Sequence, residues 1–319
     1  MVEAAMVEPR DRRLAWPRSL VTGAFAIAVL VSGCNDSPSG TTTSPPALTV
    51  DPAKKPVLRF SAIPDQNTTE LQRKFDPVAV YLASKLGVKV EYVPAVDYQA
   101  SVEMFKNGDI QLAWFGGLTG VQARHAVEGA TAIAQGAEDP KFYSYFIAHA
   151  DTGLQRSDEF PKGIEGRSFA FGSESSTSGR LMPEHFIKTL GGKAPTAMFR
   201  SVAYSGSHDK TAELVQAGQV EVGALNYKVY ERRVKAGTTD PAKARIIWQT
   251  PPYADYNFTA HPDLETMFGV GFVDKLRQAL DTMNEPALLA AFPRKALIPA
   301  HSKDFEGIAQ VARALGMLR

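Results

Sequence analysis

The chain has 319 residues, 44% hydrophobic and 22% charged, with net charge +1. That is enough apolar material for two packed lobes, and wholesale disorder and a nucleic-acid footprint are excluded, because no basic tract stands out in the body of the chain. The single cysteine, Cys34, excludes an intrachain disulfide framework and a cysteine-based metal site.

In chain order, Arg10, Arg12, Arg13 and Arg18 precede an apolar run from Leu20 to Val31, broken by Thr22 and Gly23. This is the plan of an export signal, and the run is short for a membrane span. Arg12-Arg13 gives weak support for twin-arginine export, and Met6 is an alternative start to Met1. The run ends in Leu30-Val31-Ser32-Gly33-Cys34, which resembles a bacterial lipobox. That resemblance implies a signal peptide at 1–33, cleavage before Cys34 and acylation there. Residues 34–56 hold five prolines among Ser and Thr and read as a lipidated, disordered tether.

The folded body opens with a strand at Val57–Ile63, the turn Pro64-Asp65-Gln66, and a capping box at Asn67-Thr68-Thr69-Glu70. A helix follows, carrying Leu71, Phe75, Val78 and Leu82 on one face, with Pro77 predicting a kink or a delayed start. Strands at Val88–Val93 and Ile110–Phe115 alternate with helices from Tyr98 to Lys106 and from Leu118 to Val127. Further strands lie near Thr131–Gln135 and Tyr143–Ala150. A second βα series starts at Arg167, with strands near Arg167–Gly172, Ala197–Ala203, Val220–Leu225 and Ala244–Gln249. After Pro251-Pro252 comes a strand at Asn257–Ala260, then helices to the end.

Alternating strands and helices predict an α/β protein with two mainly parallel sheets flanked by helices. The tail is too small for a third domain and is placed back on the first lobe. The expected division is 57–149 plus 254–319 for lobe one and 150–253 for lobe two. The chain then crosses near Ala148–Asp151 and Thr250–Tyr253, which makes a hinge.

Four polar turns each precede a helix: Asn67-Thr68-Thr69, Gly116-Gly117-Leu118-Thr119, Ser175–Gly179 and Ser205–Asp209. A helix start offers unpaired N–H groups and partial positive charge, so it suits an anion. The plain reading of Ser175–Gly179 is one N-cap, but four consecutive hydroxyls, Ser175 to Ser178, exceed what a cap needs. His208 is either a structural histidine or a donor to an oxyanion. Asp209 is either a first-turn carboxylate suited to the helix dipole or an acceptor for a protonated anion. Glu221 invites the same question, and its direction on an alternating strand is open. Asp97-Tyr98 and Trp114-Phe115-Gly116-Gly117 read as cap, core and turn, or as an aromatic and glycine wall around a small ligand; Tyr253 and Tyr256 carry the same pair of readings more weakly. Enzyme motifs are missing: there is no G-x-S-x-G, H-E-x-x-H, Walker A or G-x-G-x-x-G, and the six histidines are scattered. No catalytic residue, metal site or cofactor is expected.

Asp97-Tyr98-Gln99-Ala100, Leu112–Gly117, Phe171–Gly179, Gly206-Ser207-His208-Asp209 and Val220–Asn226 together resemble the phosphate/phosphite/phosphonate-type solute-binding proteins of ABC transporters. The branch named for selenate binding is the nearest. The resemblance implies a two-lobed periplasmic-binding fold of type II with the ligand between the lobes. It implies that Ser176, Thr177 and Ser178 hold the oxyanion with His208 nearby. Tyr98, Trp114, Phe115, Gly116, Asn67, Thr68 and Glu221 complete the candidate site. The expected function is capture of a small tetrahedral oxyanion (phosphonate, phosphite, phosphate or selenate) by an exported monomer, lipid-anchored through Cys34 outside the cytoplasmic membrane, that serves a permease and its ATP-binding subunits. A receptor-coupled sensor, or a secreted hydrolase using Ser176 and His208, are the alternatives. Phe115 has no hydroxyl where phosphonate-binding members commonly place a tyrosine, and Glu221 replaces their usual Asp. A carboxylate in the site favours an anion that still carries a proton; if Asp209 and Glu221 both point away, selenate becomes admissible.

Overall fold

The computed structural model describes residues 55–318. The export signal, Cys34 and all but the last two residues of the expected tether lie outside them.

The chain begins with β1 (Val57–Ala62), α1 (Thr68–Leu86), β2 (Lys89–Tyr92), α2 (Tyr98–Lys106), β3 (Leu112–Phe115), α3 (Gly117–Ala126) and β4 (Thr131–Gly136). It continues through β5 (Ser144–His149), β6 (Ser168–Phe171), α4 (Met182–Gly191), α5 (Pro195–Met198), β7 (Ser201–Tyr204), α6 (His208–Gln216), β8 (Val222–Asn226), α7 (Tyr227–Lys235) and β9 (Ala244–Gln249). Last come β10 (Asn257–Ala260), α8 (Asp263–Phe268), α9 (Phe272–Asp281), α10 (Pro286–Leu289), β11 (Leu297–Pro299) and α11 (Glu306–Ala314). Asn67 caps α1, accepting from the N–H groups of Thr69 and Glu70, and the helix runs on through Pro77. Gly87 ends it in the left-handed region at φ 72°, a conformation that glycine adopts without a Cβ penalty.

Two sheets result. The first has the order β11-β4-β10-β3-β1-β2, and the second β7-β6-β8-β5-β9. In the first, β1 pairs in parallel with β2 and β3. In the second, β6 pairs in parallel with β7 and β8. At the edge β11 pairs antiparallel with β4, and the other exceptions have a common origin. Each time the chain changes sheet, the strand it enters next runs antiparallel in the middle of the new one: β5 between β8 and β9, and β10 between β3 and β4. The helices after β10 return to the first lobe, where Phe292 packs on Phe75, Trp114 and Phe258.

One boundary differs from the sequence expectation. The strand at 144–149 belongs to the second sheet, so the first crossing lies at 137–143 and not at Ala148–Asp151. An aromatic-rich run that is buried almost throughout is equally suited to the middle of either sheet, and only its ladder partners decide. The two crossings touch: Phe142 and Tyr253 exchange both backbone hydrogen bonds at 2.8 Å. Beside them, Asp139 and Arg294 form a buried ion pair with a 2.7 Å contact. The Arg294 guanidinium also lies over the rings of Tyr256, Phe142 and Trp114. Burial alone would lower the Arg294 pKa, but the adjacent Asp139 carboxylate outweighs it and holds the guanidinium protonated.

Candidate functional site

The carboxyl ends of β1, β3, β6 and β8 lead into segments that meet between the sheets, where ligands gather in open α/β folds. After β6 the chain enters a wide turn of π-helical geometry, Thr177–Leu181, with Leu181 N–H donating to the Ser176 carbonyl at 2.9 Å. Such turns recur at functional sites. Ser176 is the N-cap, its Oγ accepting from Gly179 N–H at 2.9 Å. Thr177 and Ser178 are therefore surplus to capping, and all three hydroxyl residues are almost fully buried. Thr177 Oγ1 reaches the other lobe, accepting from Leu118 N–H at 2.9 Å. The Ser178 carbonyl accepts from Ser144 Oγ at 2.6 Å, and that hydroxyl also meets Tyr253 Oη at 2.6 Å. The Ser-Thr-Ser turn is thus fixed from the hinge side.

Glycines allow this approach. A Cβ on Gly116 would sit 3.1 Å from Thr177 Oγ1, and one on Gly117 would sit 3.3 Å from Thr177 Cγ2. Either contact would push the lobes apart.

Around the turn, three buried side-chain atoms have no hydrogen-bond partner in the protein: Tyr98 Oη, His208 Nε2 and Asp255 Oδ2. Unpaired buried polar atoms cost about 1–3 kcal/mol each. Three of them in one cluster mark a place built for a polar guest. Tyr98 opens α2 and its hydroxyl lies beside Ser176. His208 opens α6, and its Nδ1 accepts from Asn226 N–H at 3.3 Å. Burial lowers its pKa to about 4, so the ring is neutral at pH 7 and the proton sits on Nε2. His208 is a neutral donor.

Asp255 was not singled out from the sequence. Its Oδ1 accepts from Gly117 N–H at 2.8 Å, at the start of α3, and Thr177 stands beside it. Burial raises its pKa to about 7, against partial relief from the Gly117 N–H bond. A second missed carboxylate, Asp65, lies in the turn after β1 and accepts from Tyr256 Oη at 2.7 Å. Tyr256 in turn accepts from Asn226 Nδ2 at 2.9 Å, which ties the two lobes together. Burial raises the Asp65 pKa as well. The available signal for Asp65 was its place directly beyond the carboxyl end of a strand; for Asp255 it was its place in the second crossing, two residues after Tyr253.

The structure brings Ser176, Thr177, Ser178, His208, Tyr98 and Gly116 together. It separates the other candidates. Asn67 and Thr68 are exposed, with the Asn67 side chain spent on capping α1. Trp114 lies behind the site, stacked on Tyr256 with centroids 5.5 Å apart, and Phe115 faces the opposite side of β3, edge-on to Phe105. Glu221 is at the far end of β8, bonded to Arg167, Ser168 and Arg200, so it is corrected from site residue to structural anchor. The hydrogen bond from the Ser168 N–H, followed by Arg167, the Ser168 hydroxyl and Arg200, holds its pKa below the usual carboxylate value. Asp209 also turns outward, to Arg232 and Arg233. Arg180 stacks over Phe171 and Tyr204 and pairs with Glu184. With Asp209 committed to arginines and Ser176 serving as a cap, no Ser-His-Asp relay forms. Among the described residues, no cluster of three or more His, Cys, Asp or Glu is placed to hold a metal, and no helix is long and apolar enough to cross a membrane.

Proteins of known family resemble the chain over most of its length. The family model for the phosphonate periplasmic substrate-binding protein of ABC transporters matches residues 60–305. The chain is 37% identical over 270 residues to a probable ABC transporter phosphite-binding protein, PhnD1, of Prochlorococcus marinus, covering 82% of this chain and 91% of that one. It is 30% identical over 276 residues to the phosphate-import protein PhnD of Mycolicibacterium smegmatis, covering 81% and 79%. The solved structure of the Prochlorococcus PhnD1 in complex with methylphosphonate superposes with a TM-score of 0.78, covering 82% of this chain and 99% of that one. The chain belongs to the family of phosphonate periplasmic substrate-binding proteins of ABC transporters.

Proposed function

We propose that this protein captures a small phosphorus oxyanion that still carries a P–OH proton, namely hydrogenphosphate or the monoanion of phosphite or methylphosphonate, and passes it to a membrane permease. Asp255 carries the reading. Its Oδ2 is buried and unpartnered beside the hydroxyl turn, so it is an acceptor in need of a proton donor. A P–OH group supplies that proton. Fully ionised selenate or sulfate does not, and leaves two anionic oxygens face to face. Asp209 and Glu221 point elsewhere, and Asp255 takes their place as the carboxylate that disfavours selenate.

The remaining ligand oxygens would accept from the hydroxyls of Thr177, Ser178 and Tyr98, from His208 Nε2–H, and from the first N–H groups of the turn. No arginine or lysine is needed: neutral dipoles in a dry cleft stabilise the anion without a fixed cation. The hydrogen bonds across the cleft describe a closed form, and ligand would shift an open–closed balance towards it. The sequence features ending at Cys34 support export and a lipid anchor, and the relatives' names support a transport role.

Calorimetric titration with phosphite, methylphosphonate, phosphate, selenate and sulfate tests the reading. At pH 8 hydrogenphosphate, which keeps its P–OH there, should bind about 100-fold tighter than selenate, the scale of one charge-assisted hydrogen bond gained or lost. The Thr177→Ala variant should lose at least about tenfold, the worth of one buried hydrogen bond. Equal affinity for selenate, or a Thr177→Ala variant that binds like the parent, would sink it.

A further inference from the structure

We propose that Asp139 is a specificity-determining residue that acts through Asp255: paired with Arg294, it cancels the guanidinium buried beside the binding site, so the site sorts anions by the protons they carry and not by their charge. This inference rests on the phosphorus-oxyanion reading above and names what keeps that site free of positive charge.

Among the described residues, Arg294 is the only lysine or arginine that is buried. Asp139, in the first crossing, holds it. Arg294 Nε donates to the two carboxylate oxygens at 2.9 and 3.0 Å, and Nη2 lies 2.7 Å from Oδ1. Gly136 makes room for the pair: its N–H donates to Asp139 Oδ2 at 2.8 Å, and a Cβ there would collide with that oxygen and with Arg294 Cγ. The same Asp139 touches the ligand carboxylate's own backbone, its carbonyl accepting from the Asp255 N–H at 3.0 Å. The Arg294 guanidinium lies 4.8 Å from the ring of Tyr256, the next residue. One hydrogen bond therefore joins the residue that reads the ligand's proton to the residue that holds the ion pair.

In a dry interior an unpaired charge reaches much further than a closed pair, whose two fields largely cancel. Burial has the largest influence on the Asp255 pKa and the Gly117 N–H the next; of the charges, Asp139 raises it and Arg294 lowers it. The other groups facing Asp255 carry no charge: Thr177, and Tyr98, Tyr253 and Tyr256, whose hydroxyls burial keeps protonated. Asp65 lies beyond Tyr256, and Glu138, beside Asp139, is paired with Lys228 at 3.3 Å. Without the Asp139 charge the guanidinium stays protonated, because arginine does not lose its proton in a protein. It then holds Asp255 ionised to lower pH, and it attracts a dianion whether or not that dianion carries a proton.

The test compares the parent with Asp139→Asn and with the double variant Asp139→Asn/Arg294→Gln. The carbon-13 shift of the Asp255 carboxyl is followed against pH in the ligand-free proteins, and selenate is titrated calorimetrically at pH 6. In Asp139→Asn the Asp255 midpoint should fall by about one pH unit or more, and selenate should bind about tenfold tighter than to the parent. In the double variant, with both charges gone, midpoint and selenate affinity should return to the parent's. Structural damage from a broken pair would instead weaken selenate binding and would not be repaired by removing the second partner. An Asp139→Asn protein with the parent's midpoint, or a double variant displaced as far as the single one, would overturn the proposal. Should Asp139→Asn fail to fold, Arg294→Gln decides: it strands the carboxylate and not the cation, so the Asp255 midpoint should stay at or above the parent's, and a fall of about one pH unit would overturn the proposal. A parent that binds no phosphorus oxyanion, with the midpoints moving as stated, would remove the oxyanion reading and leave the charge cancellation standing.

Discussion

Replacing Asp255 by asparagine asks how the site handles protons. Asp255 Oδ1 is held by Gly117 N–H, and Oδ2 is buried without a partner. Burial raises its pKa from 3.8 to about 7, so at pH 8 the carboxylate is mostly ionised. Each further pH unit makes its reprotonation about tenfold harder, or about 1.4 kcal/mol. Hydrogenphosphate brings a proton of its own at this pH, as the monoanions of phosphite and methylphosphonate do at lower pH; selenate binds only to the shrinking fraction in which Asp255 is protonated. The Asp255→Asn side chain keeps an oxygen for Gly117 and turns an N–H₂ towards the ligand, a donor at every pH. A proton-bearing ligand then loses a charge-assisted hydrogen bond of about 1.5–3 kcal/mol, roughly 10- to 100-fold in affinity, while selenate gains a partner. Titration calorimetry at pH 7, 8 and 9 reads both. The parent should lose selenate affinity about tenfold per pH unit, and the variant should be flat. Stability gives a second reading. A carboxyl whose folded pKa is raised contributes stability that is complete below 3.8 and lost as pH climbs through about 7. The rise is worth about 4 kcal/mol at most, because opening the cleft rehydrates the group. In denaturation at pH 8 the ligand-free variant should therefore exceed the parent. A variant with the parent's phosphate-to-selenate ratio and the parent's selenate slope would refute the assignment of Asp255.

His208 should be neutral at pH 7 with its proton on Nε2, and nitrogen chemical shifts should place its titration midpoint near 4. Because its folded pKa is depressed, its contribution to stability is present above 6.5 and is lost as pH falls towards 4; a midpoint near 6.5 would contradict the donor assignment. At the hinge, Asp139→Asn leaves the Arg294 guanidinium buried without its counter-charge. Chemical denaturation should show a loss of about 3–5 kcal/mol, and a loss below about 1 kcal/mol would mean that the pair is not closed in solution.

Much of this molecule is written locally. The Asn67 cap, the βα alternation, the Ser176–Ser178 hydroxyls and His208 at a helix start all depend on neighbours a few residues away, so their patterns are readable one segment at a time. Even the surplus of hydroxyls over one cap was visible, and the structure shows which of them is the cap. What the chain order could not reveal is which strand lies beside which. The strand at 144–149 is apolar enough for either sheet, and only its pairing with β8 and β9 put the first crossing at 137–143. Pairing also decided the carboxylates. Glu221 and Asp209 stand in suggestive local company but are claimed by arginines distant in sequence, Arg167 and Arg200 for one, Arg232 and Arg233 for the other. Asp65 and Asp255 stand in plain turns 190 residues apart and find their partners, Tyr256 and the Gly117 N–H, only when the C-terminal segment folds back on the first lobe. Capping and periodicity act over one or two turns of backbone, so sequence carries them. The charge state of a buried carboxylate depends on everything packed around it, and that is settled only by the fold.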